Sequence, residues 1–210
     1  MEHGFWHQKW ENNQIGFHLS EVNQLLVKYF PQDKFNDKPN VLVPLCGKSN
    51  DLLWLADNAK NVVGCELSPV ACQQFFVENQ LEHQITKEDN FQIFSAKNMT
   101  LFCGDFFAFS KQHCGEIDLI YDRAALVALP PIMRQEYAKH ISKLVESNKW
   151  YLLITLSYND KKRNAPPFSV TPNEVEQLFA NNFTIQHCED VLEHGMRGEI
   201  VNHVFLLQRK

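Results

Sequence analysis

Two short apolar runs, each leading through a tight turn into a helical segment, narrow the folds open to this chain. Val41-Leu42-Val43-Pro44-Leu45 runs into Cys46-Gly47-Lys48-Ser49, and Leu52, Leu53 and Leu55 then repeat at helical spacing. Val62-Val63-Gly64-Cys65 ends in Glu66, after which Ser68 and Pro69 supply an N-cap and a first-turn proline for a helix reaching about residue 80. Strand, helix, strand, helix in that order argues for a parallel sheet.

The remaining segments extend the pattern. Val22, Leu25, Leu26, Tyr29 and Phe30 predict a helix opening at Ser20 and stopped by Pro31, whereas residues 1–19 carry Phe5, Trp6, Trp10 and Phe17 without a clean period and predict an arm laid across the domain. Residues 91–95 and 99–103, parted by Ala96-Lys97-Asn98, read as a hairpin or as a strand preceded by an extended detour. Residues 117–121 predict a strand followed by Asp122-Arg123 and a helix with Met133, Tyr137, Ile141 and Leu144 on one face; residues 150–156 predict another strand. Thr171-Pro172-Asn173-Glu174 is a capping box opening a helix through Val175, Leu178 and Phe179, and residues 183–186 and 203–207 pair as antiparallel edge strands. Residues 159–170 read as one long loop, with Lys161-Lys162-Arg163 as a solvated face. The fold class is therefore α/β, a doubly wound and mostly parallel sheet with an antiparallel edge hairpin and an N-terminal arm/helix. At 210 residues it reads as a single domain, 1–210, with residues 1–19 as the arm.

Composition removes several classes of function. A net charge of -5 gives no long-range attraction to phosphate backbones or anionic lipid, so a small molecule is the expected partner rather than nucleic acid or membrane. No basic stretch followed by an apolar run opens the sequence and no run is apolar enough to span a bilayer, which predicts a cytoplasmic protein. The cysteines Cys46, Cys65, Cys72, Cys103, Cys114 and Cys188 show neither CxxC nor zinc-type spacing and read as buried, reduced thiols. His3 and His7 lie four apart, but with no third ligand they predict no metal site. The 16 phenylalanines predict a bulky core, some of them lining a pocket for a flat ligand.

In an open α/β sheet, ligands bind beyond the carboxyl ends of the strands. That rule selects Leu45, Cys46 and Gly47, then Glu66, then residues 104–106, then Asp122 and Arg123. A carboxylate about 20 residues past the first strand-to-helix turn is where nucleoside-binding folds place the acceptor for ribose hydroxyls; the alternative is a solvated Glu66 closing its strand. A dinucleotide's pyrophosphate needs G-x-G-x-x-G, and this turn has one glycine, which argues against a nicotinamide cofactor. The upstream glycine of a phosphate-binding loop is also missing, so Lys48 is not read as a phosphate ligand. Arg123 suits either contact to a cofactor or attraction of an anionic substrate.

These residues match a known family. Trp10 with Phe17-His18, Val43-Pro44-Leu45-Cys46-Gly47-Lys48, Val63-Gly64-Cys65-Glu66-Leu67-Ser68, Asp122-Arg123-Ala124-Ala125-Leu126-Val127-Ala128-Leu129, Leu156-Ser157-Tyr158 and Pro166-Pro167-Phe168 together resemble thiopurine S-methyltransferases, from about Trp6 to the C-terminus. The resemblance implies a Rossmann-like class I methyltransferase fold with a seven-stranded sheet and S-adenosyl-L-methionine as cofactor. It implies a cofactor site of Trp10, Leu45, Glu66, Arg123, Asp105 and Phe106, with Trp10 facing the sulfonium and Asp105 and Phe106 beside the adenine. Phe17 and Arg123 are implied at the substrate, and Arg197 is the candidate for a second substrate arginine. The implied reaction is in-line methyl transfer to the thiolate of a thiopurine or other small aromatic thiol by a monomer, with no catalytic side chain and no metal. Alternatives are a related methyltransferase for halide, small-thiol or metalloid acceptors, and less readily a nicotinamide oxidoreductase or a non-catalytic nucleoside-binding module.

Overall fold

A computed structural model of the chain describes residues 3–159, 165–195 and 198–210. It comprises two compact units, Met1–Asp118 and Leu119–Lys210.

In the first unit, β1 (Asn40–Pro44), β2 (Asn61–Glu66) and β5 (Met99–Cys103) are parallel, β1 pairing with β2 and β2 with β5. α3 (Asp51–Asn58) connects β1 to β2, as the apolar pattern required. α4 (Pro69–Glu78) follows β2; the Ser68 hydroxyl accepts from the Ala71 N–H and Pro69 occupies the first turn, where a missing N–H costs nothing. β3 (Gln84–Glu88) and β4 (Phe91–Ala96) complete the order β3-β4-β5-β2-β1, β4 and β5 form an antiparallel hairpin about Lys97 and Asn98, and the short α5 (Lys111–Cys114) comes after β5. Of the two possibilities open for residues 91–103, the hairpin is the one formed. Phe75, Phe76 and Phe94 form one aromatic cluster and Phe91, Phe102 and Phe109 another, with ring centroids 5.1–5.9 Å apart, so these phenylalanines are core.

Two expectations for this unit need correction, and the arm gains detail. The arm contains a helix, α1 (His3–Glu11), whose apolar residues are too evenly spread to show a period. The next helix, α2 (Gln24–Tyr29), begins later than Ser20 because the Asn23 side chain caps it, accepting from the N–H groups of Leu25 and Leu26. β3 was not expected at all: its five residues are all exposed, so no buried face marks it in the sequence.

In the second unit, β6 (Leu119–Arg123) and β7 (Trp150–Ser157) are parallel, while β9 (Gly198–Arg209) and β8 (Phe183–Gly195) continue antiparallel in the order β6-β7-β9-β8. α6 (Pro131–Leu144) buries Tyr137, Ala138, Ile141 and Leu144. α7 (Pro172–Phe179) is capped by Thr171, whose hydroxyl accepts from the Glu174 N–H. Glu174 does not complete the capping box with its side chain; it pairs at 2.6 Å with Arg134, which is buried on α6. β6 starts two residues later than expected and takes in Asp122 and Arg123, because Asp118 is used outside the strand: its carboxylate accepts both the backbone and side-chain N–H of Asn40. The final strands are far longer than the apolar runs that announced them, since β8 is polar along most of its length. Nine strands thus occur among the described residues where seven were expected, the surplus being antiparallel edge strands. Lys161-Lys162-Arg163 and Arg197 lie outside the described residues.

Candidate active site

Parallel pairing brings the ends of β1, β2 and β5 to one edge: Pro44 lies opposite Cys65 and Glu66 opposite Cys103. The turn after β1 carries Leu45 and Gly47 at φ 46° and 56°. Only glycine adopts such a φ without strain, and at Gly47 there is a second reason. A Cβ there would sit 3.1 Å from the Trp10 ring, so the missing side chain is what lets the indole close over the turn. Trp10, 4% exposed, is thereby fixed by α1 against the βα turn.

Glu66 ends β2 and is 6% exposed. Its Oε2 accepts from the Gly47 N–H at 2.9 Å and its Oε1 from the Ser68 N–H at 2.7 Å, so one carboxylate ties the first turn to the start of α4. Burial raises its pKa above the ordinary carboxylate value, against the opposing effect of backbone N–H groups of Ser68, Gly47 and Leu67. Each oxygen retains acceptor capacity beyond the one bond it makes, since an ionised carboxylate offers about four lone-pair sites. That spare capacity fits a vicinal diol.

Asp105 follows β5. Its side chain accepts from the Phe107 N–H at 2.9 Å, capping the short turn that holds Phe106, which is buried and stacked near Phe109. Asp105 Oδ2 also lies 3.6 Å from Nε2 of His3. His3, considered above only as a partner for His7, thus has a different role, and α1 touches the edge at two places: His3 by Asp105 after β5, and Trp10 on Gly47 after β1. From His3 to Trp10 is ~10 Å along a helix. Two strand spacings are also ~10 Å, so α1 lies across the end of β2, where Glu66 is. Phe17 packs edge-on against Trp10 and Trp6, with centroids 5.4 and 5.7 Å away.

Lys48 is buried and pairs with Glu78 of α4 at 2.7 Å, a structural use that accords with its not being a phosphate ligand. The six cysteines are free and all but Cys188 are buried, as expected. Burial, reinforced by the Glu66 charge on Cys46 and by the Cys46 and Glu66 charges on Cys65, pushes both thiols well above their ordinary pKa.

In the second unit, Asp122 is fully buried on β6. Its Oδ2 accepts from the hydroxyls of Tyr137 and Tyr151 at 2.6 and 2.7 Å and its Oδ1 from the Leu126 N–H at 3.2 Å. Burial raises its pKa despite those bonds. The two tyrosines were not foreseen, because only tertiary packing brings residues 137 and 151 to residue 122. Arg123, next along β6, is half-buried.

A family model described as thiopurine S-methyltransferase matches residues 1–209. The chain belongs to the thiopurine S-methyltransferase family. It is 44% identical to a thiopurine S-methyltransferase of Pseudomonas fluorescens, over 90% of this chain and 87% of that one. It is 38% identical to that of Marinobacter nauticus over the full length of both. As a member of this family it is an S-adenosyl-L-methionine-dependent S-methyltransferase. Among solved structures, a S-adenosylmethionine-dependent methyltransferase from Anabaena variabilis superposes with a TM-score of 0.70 at 15% identity, covering 99% of this chain and 95% of that chain. The 1,6-didemethyltoxoflavin-N1-methyltransferase of Burkholderia thailandensis gives 0.69 at 11% identity, covering 99% and 87%. Both share the α/β methyltransferase fold, with a mostly parallel central sheet and antiparallel edge strands. The first unit thus brings together Trp10, Phe17, Leu45, Glu66, Asp105 and Phe106 of the residues singled out in the sequence. Arg123 stands on β6 of the second unit.

Proposed function

We propose that this enzyme methylates the sulfur of a thiopurine or another small aromatic thiol, and that the acceptor's own thiolate is the nucleophile. The cofactor supplies an electrophilic methyl group on a sulfonium. Glu66 receives the ribose hydroxyls on its spare lone pairs, Leu45 offers backbone and packing in the βα turn, Asp105 and Phe106 border the adenine, and Trp10 turns its π face to positive charge. Phe17 packs beside the acceptor ring, and Arg123 attracts or stabilises the anionic sulfur. The arm of residues 1–19 covers the cofactor, and the enzyme works as a cytoplasmic monomer on a small molecule rather than on nucleic acid. No helix of the described residues is long and apolar enough to cross a membrane.

The observation that carries the mechanism is that each of these carboxylates already serves donors within the fold. Glu66 clamps two backbone N–H groups, Asp105 caps Phe107, and Asp122 is sealed under two tyrosines, so each has a positioning task of its own. An aromatic thiol ionises readily and needs no enzyme base, whereas Cys46 and Cys65, held protonated by burial, make poor competing acceptors. The protein's contribution is alignment and exclusion of water.

The test is the pH dependence of kcat/KM across aromatic thiols of graded acidity, measured for the wild type and for Asp122→Asn. The acid limb is expected to move with the acceptor's pKa and to survive in the variant. An acid limb common to every acceptor and absent from Asp122→Asn would make Asp122 the base and overturn the mechanism.

A further inference from the structure

The expectation of no metal ligands rested on sequence spacing, and a local irregularity of the second unit changes what spacing means. In a regular strand, residues three apart face opposite ways. Between His187 and Glu189 the β8–β9 register shifts by a β-bulge: His187 pairs with Phe205, and Asp190 with His203. Phe205 and His203 are two apart on β9 and share a face, so the bulge puts His187 and Asp190 on that same face. Without it the three side chains His187, Asp190 and His203 would not meet.

They meet closely. Asp190 Oδ1 lies 2.7 Å from His187 Nε2 and 2.6 Å from His203 Nδ1, and one donor atom from each residue falls within 4.8 Å of the others. His203 is buried and its other nitrogen, Nε2, is 2.8 Å from the Ser157 hydroxyl on β7, which fixes the ring. His187 stacks on Phe205 with centroids 4.7 Å apart. The Asp190 and His187 side chains are 50% and 39% exposed, leaving the cluster open to solvent on one side. Hydrogen bonds from His203, and then from His187, hold Asp190 below the ordinary carboxylate range, so the cluster carries its anionic ligand at neutral pH.

We propose that His187, Asp190 and His203 form a binding site for a divalent transition-metal ion of the zinc class. Two imidazole nitrogens and one carboxylate oxygen are the ligand set such ions take, with a fourth position left to solvent. Magnesium and calcium would require more oxygen ligands, and there is no thiolate in the set to favour copper(I). The ion would replace the protons now shared with Asp190. Ligands about 2.1 Å from a tetrahedral ion stand about 3.4 Å apart, so the two contacts of Asp190 with His187 and His203 must each lengthen by less than an ångström. Ser157 would then accept from His203 Nε2–H, the outer hydrogen bond that holds a metal-binding imidazole in its tautomer.

The experiment is a calorimetric titration of the full chain with zinc chloride, paired with cobalt(II) chloride and the visible absorption of tetrahedral cobalt. Saturable one-to-one binding and an intense cobalt band are expected. His187→Gln and Asp190→Asn are each expected to weaken binding at least tenfold and to abolish the band, and Ser157→Ala to weaken it about tenfold. The group Glu88, Asp89 and His113 is the other candidate among the described residues, so His113→Gln is expected to leave the affinity unchanged. Circular dichroism confirms that each variant is folded. Absence of one-to-one binding in the wild type, equal affinity in a His187→Gln/Asp190→Asn double variant, or loss of binding in His113→Gln would each overturn the proposal.

Discussion

Replacing Glu66 by alanine should damage cofactor binding and the fold together. The carboxylate is the acceptor for the Gly47 and Ser68 N–H groups, both in buried surroundings. Stripping a buried N–H of its partner costs roughly 1–3 kcal/mol. Removal of a carboxylate whose pKa is raised by burial returns part of that, leaving a net loss of about 2–4 kcal/mol. For a chain of this size that lowers Tm by roughly 5–15 °C. Affinity for the cofactor or its demethylated product should fall by a further 1.5–3 kcal/mol or so, the scale of hydrogen bonds to a charged group. That is about 10- to 150-fold in Kd. Glu66→Gln keeps one acceptor oxygen, so it should retain more of the stability than of the affinity. Calorimetric titration with S-adenosylhomocysteine and thermal denaturation read the two effects separately. An alanine variant with wild-type Kd would remove Glu66 from the cofactor site, and one with wild-type Tm would refute its role as the clamp between the βα turn and α4.

Gly47→Ala forces φ 56° on a residue with a Cβ and pushes that Cβ to 3.1 Å from Trp10, so cofactor affinity should drop and tryptophan fluorescence should shift, an unchanged spectrum arguing that the indole does not close on the turn. Hydrogen exchange around Trp10 should slow when S-adenosylhomocysteine is added, because a covering segment loses mobility when its ligand arrives; exchange indifferent to ligand would make α1 purely structural. Burial raises Asp122, so its contribution to stability is complete below the ordinary carboxylate range and is lost as pH rises through the raised value. Asp122→Asn should therefore flatten that part of the stability profile in urea titrations at stepped pH, and an identical slope in the variant would contradict it.

What the sequence made legible follows from where apolar side chains carry the information. β1, β2, β5 and β7 are buried on both faces and announce themselves as apolar runs, and Ser68-Pro69 marks the start of α4 by local chemistry alone. The exposed β3 and the polar length of β8 left no such trace, because an edge strand is held by its backbone ladder rather than by a buried face. The site divides in the same way. Glu66, Leu45 and Asp105 stand at strand ends that the βαβ rule picks out, whereas the His3–Asp105 approach, the tyrosines on Asp122 and the bulge at residues 187–189 are products of tertiary pairing that no single segment encodes.

The decisive measurement is methyl transfer itself. With methyl-labelled S-adenosyl-L-methionine and a panel of thiopurines, simple aromatic thiols, alkyl thiols, selenols and halides, label should appear on the sulfur of the aromatic thiols, at rates well above the other acceptors and dependent on the enzyme. Label transferred preferentially to halide or selenol, or to none of the panel by protein that binds S-adenosylhomocysteine normally, would contradict it.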